Sequence, residues 1–202
     1  MSYSSYRPTV SLSGPGAVTE GDSGASLAAF TVTLSSAGSV AVKVGYRTSN
    51  SSATSDSDYA STRGTLTIAA GATSGVIYIP VYGDTTYESD EIFGLTLTST
   101  SKGTLASSSK SAIATLVNDD AVPPTVSLAG PASVTEGNSG SSVVTYTVSL
   151  SSAAATDVAV VYATSNGTAT AGSDYTSTSG TLTIAAGATS GTIEVPVYGD
   201  TS

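Results

Sequence analysis

The segment TVSLSGPGAVTEG, beginning at Thr9, returns as TVSLAGPASVTEG at Thr125, and the offset of 116 residues then holds without a gap. SDYASTRGTLTIAAGATSG from Ser57 returns as SDYTSTSGTLTIAAGATSG from Ser173, and about two-thirds of the aligned positions in residues 9–86 are identical. A period of this length is too long for a helical solenoid and suits tandem domains of sandwich size. The chain is therefore divided into an N-terminal extension (1–8), repeat one (9–120), a linker (121–124) and repeat two (125–202). The linker contains Pro123 and Pro124, which cannot donate to a strand ladder and favour an extended, semi-stiff path.

Within a repeat, apolar residues recur at every second position. Phe30, Val32 and Leu34 alternate with Thr31 and Thr33; Val40, Val42, Val44 and Tyr46 follow the same rule, as do Ile77, Ile79 and Val81, and then Phe93, Leu95 and Leu97. Side chains on a strand point to opposite faces in turn, so this pattern specifies half-buried strands. Turn residues recur every 8–12 positions, which reads as an all-β sandwich. The expected strands of repeat one are 9–13, 17–20, 28–35, 40–49, 64–68, 74–82, 91–98 and 111–117.

Repeat two ends at the counterpart of Thr86, so residues equivalent to 87–120, and with them two expected strands, have no counterpart. A sandwich without those strands leaves an apolar edge and part of its core open. Three explanations are compatible with this. The chain is a fragment of a longer array, the strands are supplied by another chain, or repeat two is partly disordered alone.

Residues 82–93, YGDTTYESDEIF, place Asp84, Glu88, Asp90 and Glu91 within eight positions, with Arg63 and Lys102 the nearest basic residues in sequence. Crowded carboxylates repel unless something positive sits among them. With no His and no Cys in the chain, a bound cation would be held by hard oxygen ligands, which suit Ca²⁺ first and Mg²⁺ second. A solvated acidic turn is the alternative. The lack of His also removes the commonest general base, and GDSG at residues 21–24 is a turn rather than part of a protease triad. The net charge of −9 argues against nucleic acid and anionic membrane surfaces as partners. No apolar run approaches a membrane span.

The order of elements resembles the Calx-beta domain family: VTEG near the start, TSN…SDY, GTLTI–AAGATSG, GDTTYESDEIF and a closing NDD at residues 118–120. Repeat one carries the whole pattern and repeat two roughly its first two-thirds. The resemblance implies tandem immunoglobulin-like sandwiches, the second incomplete, and a Ca²⁺ site where the loops and the domain's end meet. It implies Glu20, Asp58, Asp84, Glu88, Glu91, Asp119 and Asp120 as ligands in repeat one, with the backbone carbonyl near Thr86 as a neutral one. Glu136, Asp174 and Asp200 are the retained positions in repeat two. The chain departs from the calcium-sensing pattern at Gly83, Asp84 and Thr85 and at Asn118, which replaces the first acid of the terminal triplet. Fewer carboxylates imply fewer ions or weaker binding.

These readings lead to a structural, non-enzymatic segment of an extracellular or cell-surface adhesin or matrix protein, stiffened by Ca²⁺ at repeat junctions, whose partners are neighbouring repeats. The alternatives are a subunit of a self-assembling filament, polymerised through the open edge of repeat two, and a calcium-sensing regulatory module.

Overall fold

Alternating Val, Ile, Leu and Thr residues cannot bury a helical stripe, so the chain satisfies its backbone through strand ladders. The structure is a computed structural model and describes residues 7–201. Six residues of the proposed N-terminal extension lie outside that range. The chain divides into two units, one ending at Ala121 and one beginning at Val122. The fold is all-β, with fourteen strands and no helix among the described residues.

Unit 1 contains β1 (Thr9–Ser13), β2 (Gly16–Thr19), β3 (Ala25–Leu34), β4 (Val42–Asn50), β5 (Arg63–Ile68), β6 (Ser74–Tyr82), β7 (Glu91–Thr100), β8 (Thr104–Leu105) and β9 (Ser111–Val117). They form a four-stranded sheet in the order β6-β3-β1-β8 and a five-stranded sheet in the order β2-β9-β7-β4-β5. The inward positions of both sheets make one core. Val10, Phe30, Val32, Ile79 and Val81 of the first sheet meet Val44, Phe93, Leu95, Leu97 and Ala114 of the second, all buried. β7 is the centre of its sheet, paired antiparallel with both β4 and β9.

Several expected boundaries move for local reasons. β3 starts at Ala25 because Ala25 already pairs with Tyr82. β4 starts at Val42 rather than 40, since the preceding residues turn: the Gly71 N–H donates to the Gly38 carbonyl, and Val40 is exposed. β7 runs on to Thr100, opposite Val44. β8 was not expected; at two residues it carries no periodicity, and it forms by pairing parallel to β1.

Unit 2 contains β10 (Val126–Ala129), β11 (Ser141–Leu150), β12 (Val158–Ala163), β13 (Ser179–Ile184) and β14 (Ser190–Tyr198). These form a three-stranded sheet β10-β11-β14 and a two-stranded sheet β12-β13. The counterpart of β2 is not a strand here. In unit 1 that strand pairs with β9, and unit 2 has no equivalent of β9. The smaller core consists of Val148, Leu150, Tyr175, Ile184, Ile193 and Val195. Val126 and Leu128 are 50% and 64% exposed, whereas their counterparts Val10 and Leu12 are 0% and 6% exposed. The difference lies in the missing layer, since the residue types are the same.

Candidate metal centre

One end of unit 1 gathers four chain segments. The first is the turn after β4. There the Asp58 carboxylate accepts the Thr54 N–H through Oδ2 at 2.6 Å, and the Asp58 N–H donates to the Thr54 carbonyl at 3.0 Å. Asp56 in the same turn has φ +77°, a left-handed conformation that short polar side chains tolerate. Tyr59, the residue after Asp58, is buried and lies flat on Phe93, with ring centroids 4.2 Å apart. The turn is thus held against β7, whose first residue is Glu91.

The second and third segments are the loop before β7 and the chain leaving β9. Glu88 N–H donates to Asn118 Oδ1 at 3.0 Å, and Asn118 N–H donates to Asp90 Oδ1 at 3.2 Å. This exchange fixes the acidic loop on the end of the sheet. As a result, Asp58, Glu88 and Glu91 offer carboxylate oxygens that lie within 4.8 Å of one another.

The fourth segment follows β2. Glu20 N–H donates to the Val117 carbonyl at 3.3 Å, and Gly21 N–H donates to Asp119 Oδ1 at 3.1 Å. The chain after β6 crosses it so closely that a Cβ on Gly83 would stand 1.9 Å from the Gly21 carbonyl oxygen. Asp84 lies just beyond, with its Oδ1 accepting the Thr86 N–H at 2.6 Å. Asp120 has one carboxylate oxygen, Oδ2, buried without a hydrogen-bond partner.

The charges act on each other throughout this end. Glu91 is pushed up to about 7, first by lost hydration, then by its contact with Asp58, then by the charges of Asp58, Glu88 and Glu20. Glu20 is raised by lost hydration and then by Glu88, Asp120, Asp84 and Asp119. Glu88 is raised in the same way, with Asp58, Asp84 and Asp120 as the charges. Asp120 is raised by lost hydration, then Asp22, Asp119 and Asp84. Every charge acting on these four groups is another carboxylate.

All seven acidic residues expected in repeat one therefore fall in one electrostatic neighbourhood, three of them within mutual ligand distance. Thr86 is exposed and is tied to Asp84 through its N–H. In unit 2 Asp174 repeats the Asp58 turn, with Oδ2 accepting Thr170 N–H at 2.6 Å. Glu136 and Asp200 are exposed. Asp22, whose counterpart in repeat two is Asn138, was not among the expected ligands, yet it is the foremost charge acting on Asp120. Sequence reasoning also had no role for Asp90 and Asn118 as the pair that positions the acidic loop; their spacing in sequence carries no signal of that contact.

The donor set consists of carboxylates in a chain without His or Cys, and the Asp120 oxygen without a partner faces the same charge deficit. These residues fit a hard divalent cation. Asp58, Glu88 and Glu91 would hold it, and it would supply the positive charge that the cluster lacks.

Two packed antiparallel-rich sheets with an acidic loop end make unit 1 a β-sandwich domain. The sequence model of the Calx-beta domain matches residues 7–121 and again 119–202, and the chain belongs to this family. Its fold is similar to the crystal structure of CBD12 from CALX1.2, with a TM-score of 0.51 and 24% identity over 96% of this chain and 76% of that one. It is similar also to the calcium binding domain CBD12 of CALX1.1, with a TM-score of 0.51 and 23% identity over 91% and 74% of the two chains. None of the curated proteins compared matches it.

Proposed function

We propose that this chain is a structural repeat segment of an extracellular adhesin or matrix protein, with Ca²⁺ bound at the acidic end of unit 1. The observation that carries the reading is the Asp58–Glu88–Glu91 cluster, whose oxygens lie within 4.8 Å of one another, with Glu88 and Glu91 raised by neighbouring carboxylates. The name of one structural neighbour, a calcium binding domain, supports the choice of ion. Asp119 and Asp120 immediately precede the linker that begins at Ala121, so an ion there would order the approach to the next repeat. In a linear array, stability is roughly that of each repeat plus its neighbour interfaces, and neighbouring repeats are the partners this reading requires. The near-identity of the two repeats favours it over a calcium-sensing regulatory module, which needs no near-copy of one unit.

The test is thermal unfolding and size of the chain in Ca²⁺ and in chelator. Binding only to the folded state raises stability by about 2.7 kcal/mol at a hundredfold excess over Kd. The shift should vanish in the double variant Asp84→Asn/Glu88→Gln. An equal melting temperature in both buffers would remove the ion from the reading and leave a plain structural repeat. A second reading, a self-assembling filament completed by strands from neighbouring chains, is favoured by the open face of unit 2. A concentration-dependent polymer would support it, and a monomer at all concentrations would support the stalk.

A further inference from the structure

We infer that the outer face of the five-stranded sheet in unit 1 is a binding surface for an acidic polysaccharide, held through Arg47 and Arg63. The ladders place four outward side chains in one row across four strands. Ser111 of β9 lies opposite Thr96 of β7, Thr96 opposite Arg47 of β4, and Arg47 opposite Arg63 of β5. With neighbouring strands about 4.8 Å apart, the row is roughly 14 Å long. Thr96 Oγ1 and Ser111 Oγ share a hydrogen bond at 3.0 Å. Both arginines are exposed, and neither side chain has a hydrogen bond or ion pair among the described residues. Like charges directly opposite one another destabilise a ladder, and the chain has only six basic residues against fifteen acidic ones. Two of the six nevertheless face each other here. Unit 2 shows that the fold does not need them. Their counterparts are Ala163 and Ser179, which stand opposite each other across β12 and β13 in the same register. Lys43, on the same face of β4, has Ala159 as its counterpart.

The chemistry of the row names the partner. A guanidinium is a rigid planar fork that grips the paired oxygens of an anionic group. Two forks side by side, continued by two hydroxyls, suit a chain that repeats an anionic group among hydroxyls. Among the described residues no aromatic side chain stands on the outward positions of these strands, so a nucleic-acid base finds no stacking platform. The acidic end does not repel a thin partner lying on the row. Glu91 is five residues along β7 from Thr96, roughly 17 Å, beyond the screening length of about 8 Å at physiological salt. A duplex or a bilayer is wide enough to meet both. Binding on this face needs neither the cation nor a neighbouring repeat, so it goes beyond the function proposed above.

The experiment titrates the full chain, in chelator so that calcium plays no part, into two labelled probes read by fluorescence anisotropy. One is a heparin oligosaccharide, which carries sulfates and carboxylates; the other is an oligogalacturonate, which carries carboxylates alone. Saturable binding that weakens as salt rises is expected; binding of heparin alone would assign the row to sulfate, and binding of both to carboxylate. Arg47→Ala/Arg63→Ser, which installs the residues of unit 2, should weaken binding about tenfold or more, since each fork makes charge-assisted bonds. Its melting temperature should equal or exceed that of the parent, because a like-charge pair is removed. Arg47→Lys/Arg63→Lys keeps the charge, loses the forks and should fall between the two. Three results would overturn the inference: no saturable binding of either probe, equal binding by the Arg47→Ala/Arg63→Ser variant, or equally tight binding of a polyglutamate peptide, which would make the partner an acidic protein.

Discussion

Tyr59 and Phe93 lie face to face, with ring centroids 4.2 Å apart and 10° between their planes. The pair joins the turn that carries Asp58 to the strand that begins with Glu91. Each ring sits within two residues of a carboxylate of the cluster, so the core of the sandwich and the acidic site share one anchor. Offset stacked pairs contribute about 0.5–1.5 kcal/mol beyond their buried area.

Truncation of Phe93 should therefore act on both. Phe93→Ala removes a fully buried ring, which costs about 3–5 kcal/mol. It should also weaken Ca²⁺ binding although Phe93 offers no ligand atom, because Asp58 and Glu91 lose their common support. Tyr59→Phe keeps the stack and loses the hydroxyl bond to Asn50, for about 0.5–1.5 kcal/mol, and should leave the calcium shift intact. Denaturant midpoints and calorimetric titration of the two variants separate these effects.

The acidic end also sets the sign of the pH dependence. Glu91 is pushed up to about 7, and Glu20, Glu88 and Asp120 are raised as well. In the folded chain these groups hold protons that the unfolded chain has already lost, so the unfolded state binds fewer protons through this range. The contribution of Glu91 to stability is then complete below the ordinary carboxylate range, near about pH 4, and is lost as pH rises through about 7; Glu20, Glu88 and Asp120 act in the same direction. In chelator the chain should unfold at lower urea at about pH 8 than at about pH 5. Ca²⁺ should restore the loss at pH 8, since its ligands must be deprotonated. Glu91→Gln should raise stability at high pH in chelator, by up to roughly 1 kcal/mol for a half-exposed charge, and lower the gain from Ca²⁺.

The alternation of Phe30, Val32 and Leu34, and of Phe93, Leu95 and Leu97, was enough to read the sheets and their buried faces, because burial follows the two-residue period directly. The acidic site was legible as composition in residues 82–93. The family resemblance then brought in Glu20, Asp58, Asp119 and Asp120, which are remote in sequence. What stayed hidden depends on long-range contact. The two residues of β8 form only against β1. Asn118 acquires its role from Asp90 and the Glu88 N–H, about thirty positions away. Asp22 has Asn138 as its counterpart in repeat two, and its bearing on Asp120, about a hundred positions away, shows only in the fold.

Asp56 offers a test of the turn without touching a ligand. Its φ is +77°, and its counterpart Gly172 has φ +93°; repeat two thus places at this left-handed position the residue that adopts it without steric cost. Asp56→Gly should keep the turn and raise stability by up to about 1 kcal/mol, the lower end of the left-handed penalty for other residues. Asp56→Val should cost about 1–3 kcal/mol, since a branched Cβ is least tolerated there. Thermal unfolding of both variants in chelator reads the order Gly above Asp above Val. Any other order would mean that the carboxylate itself holds the turn.

Two loops cross closely at Gly83. A Cβ there would stand 1.9 Å from the Gly21 carbonyl oxygen and 2.6 Å from that of Glu20. Both obstacles are backbone, and Gly21 is itself held through its N–H by Asp119. Gly83→Ala must therefore push the Asp84 loop away from Glu20 and Asp119, at a cost of about 1–3 kcal/mol for forced overpacking. A Cβ on its counterpart Gly199 would stand 2.7 and 2.8 Å from the Glu136 and Gly137 oxygens, so Gly199→Ala needs a smaller shift. The expected result is a larger loss of stability for Gly83→Ala than for Gly199→Ala. A calcium-induced rise in melting temperature should shrink in the first variant and stay unchanged in the second. Equal calcium responses in the two variants would show that the ion does not depend on the approach of the Asp84 loop to Glu20, and would confine the site to Asp58, Glu88 and Glu91.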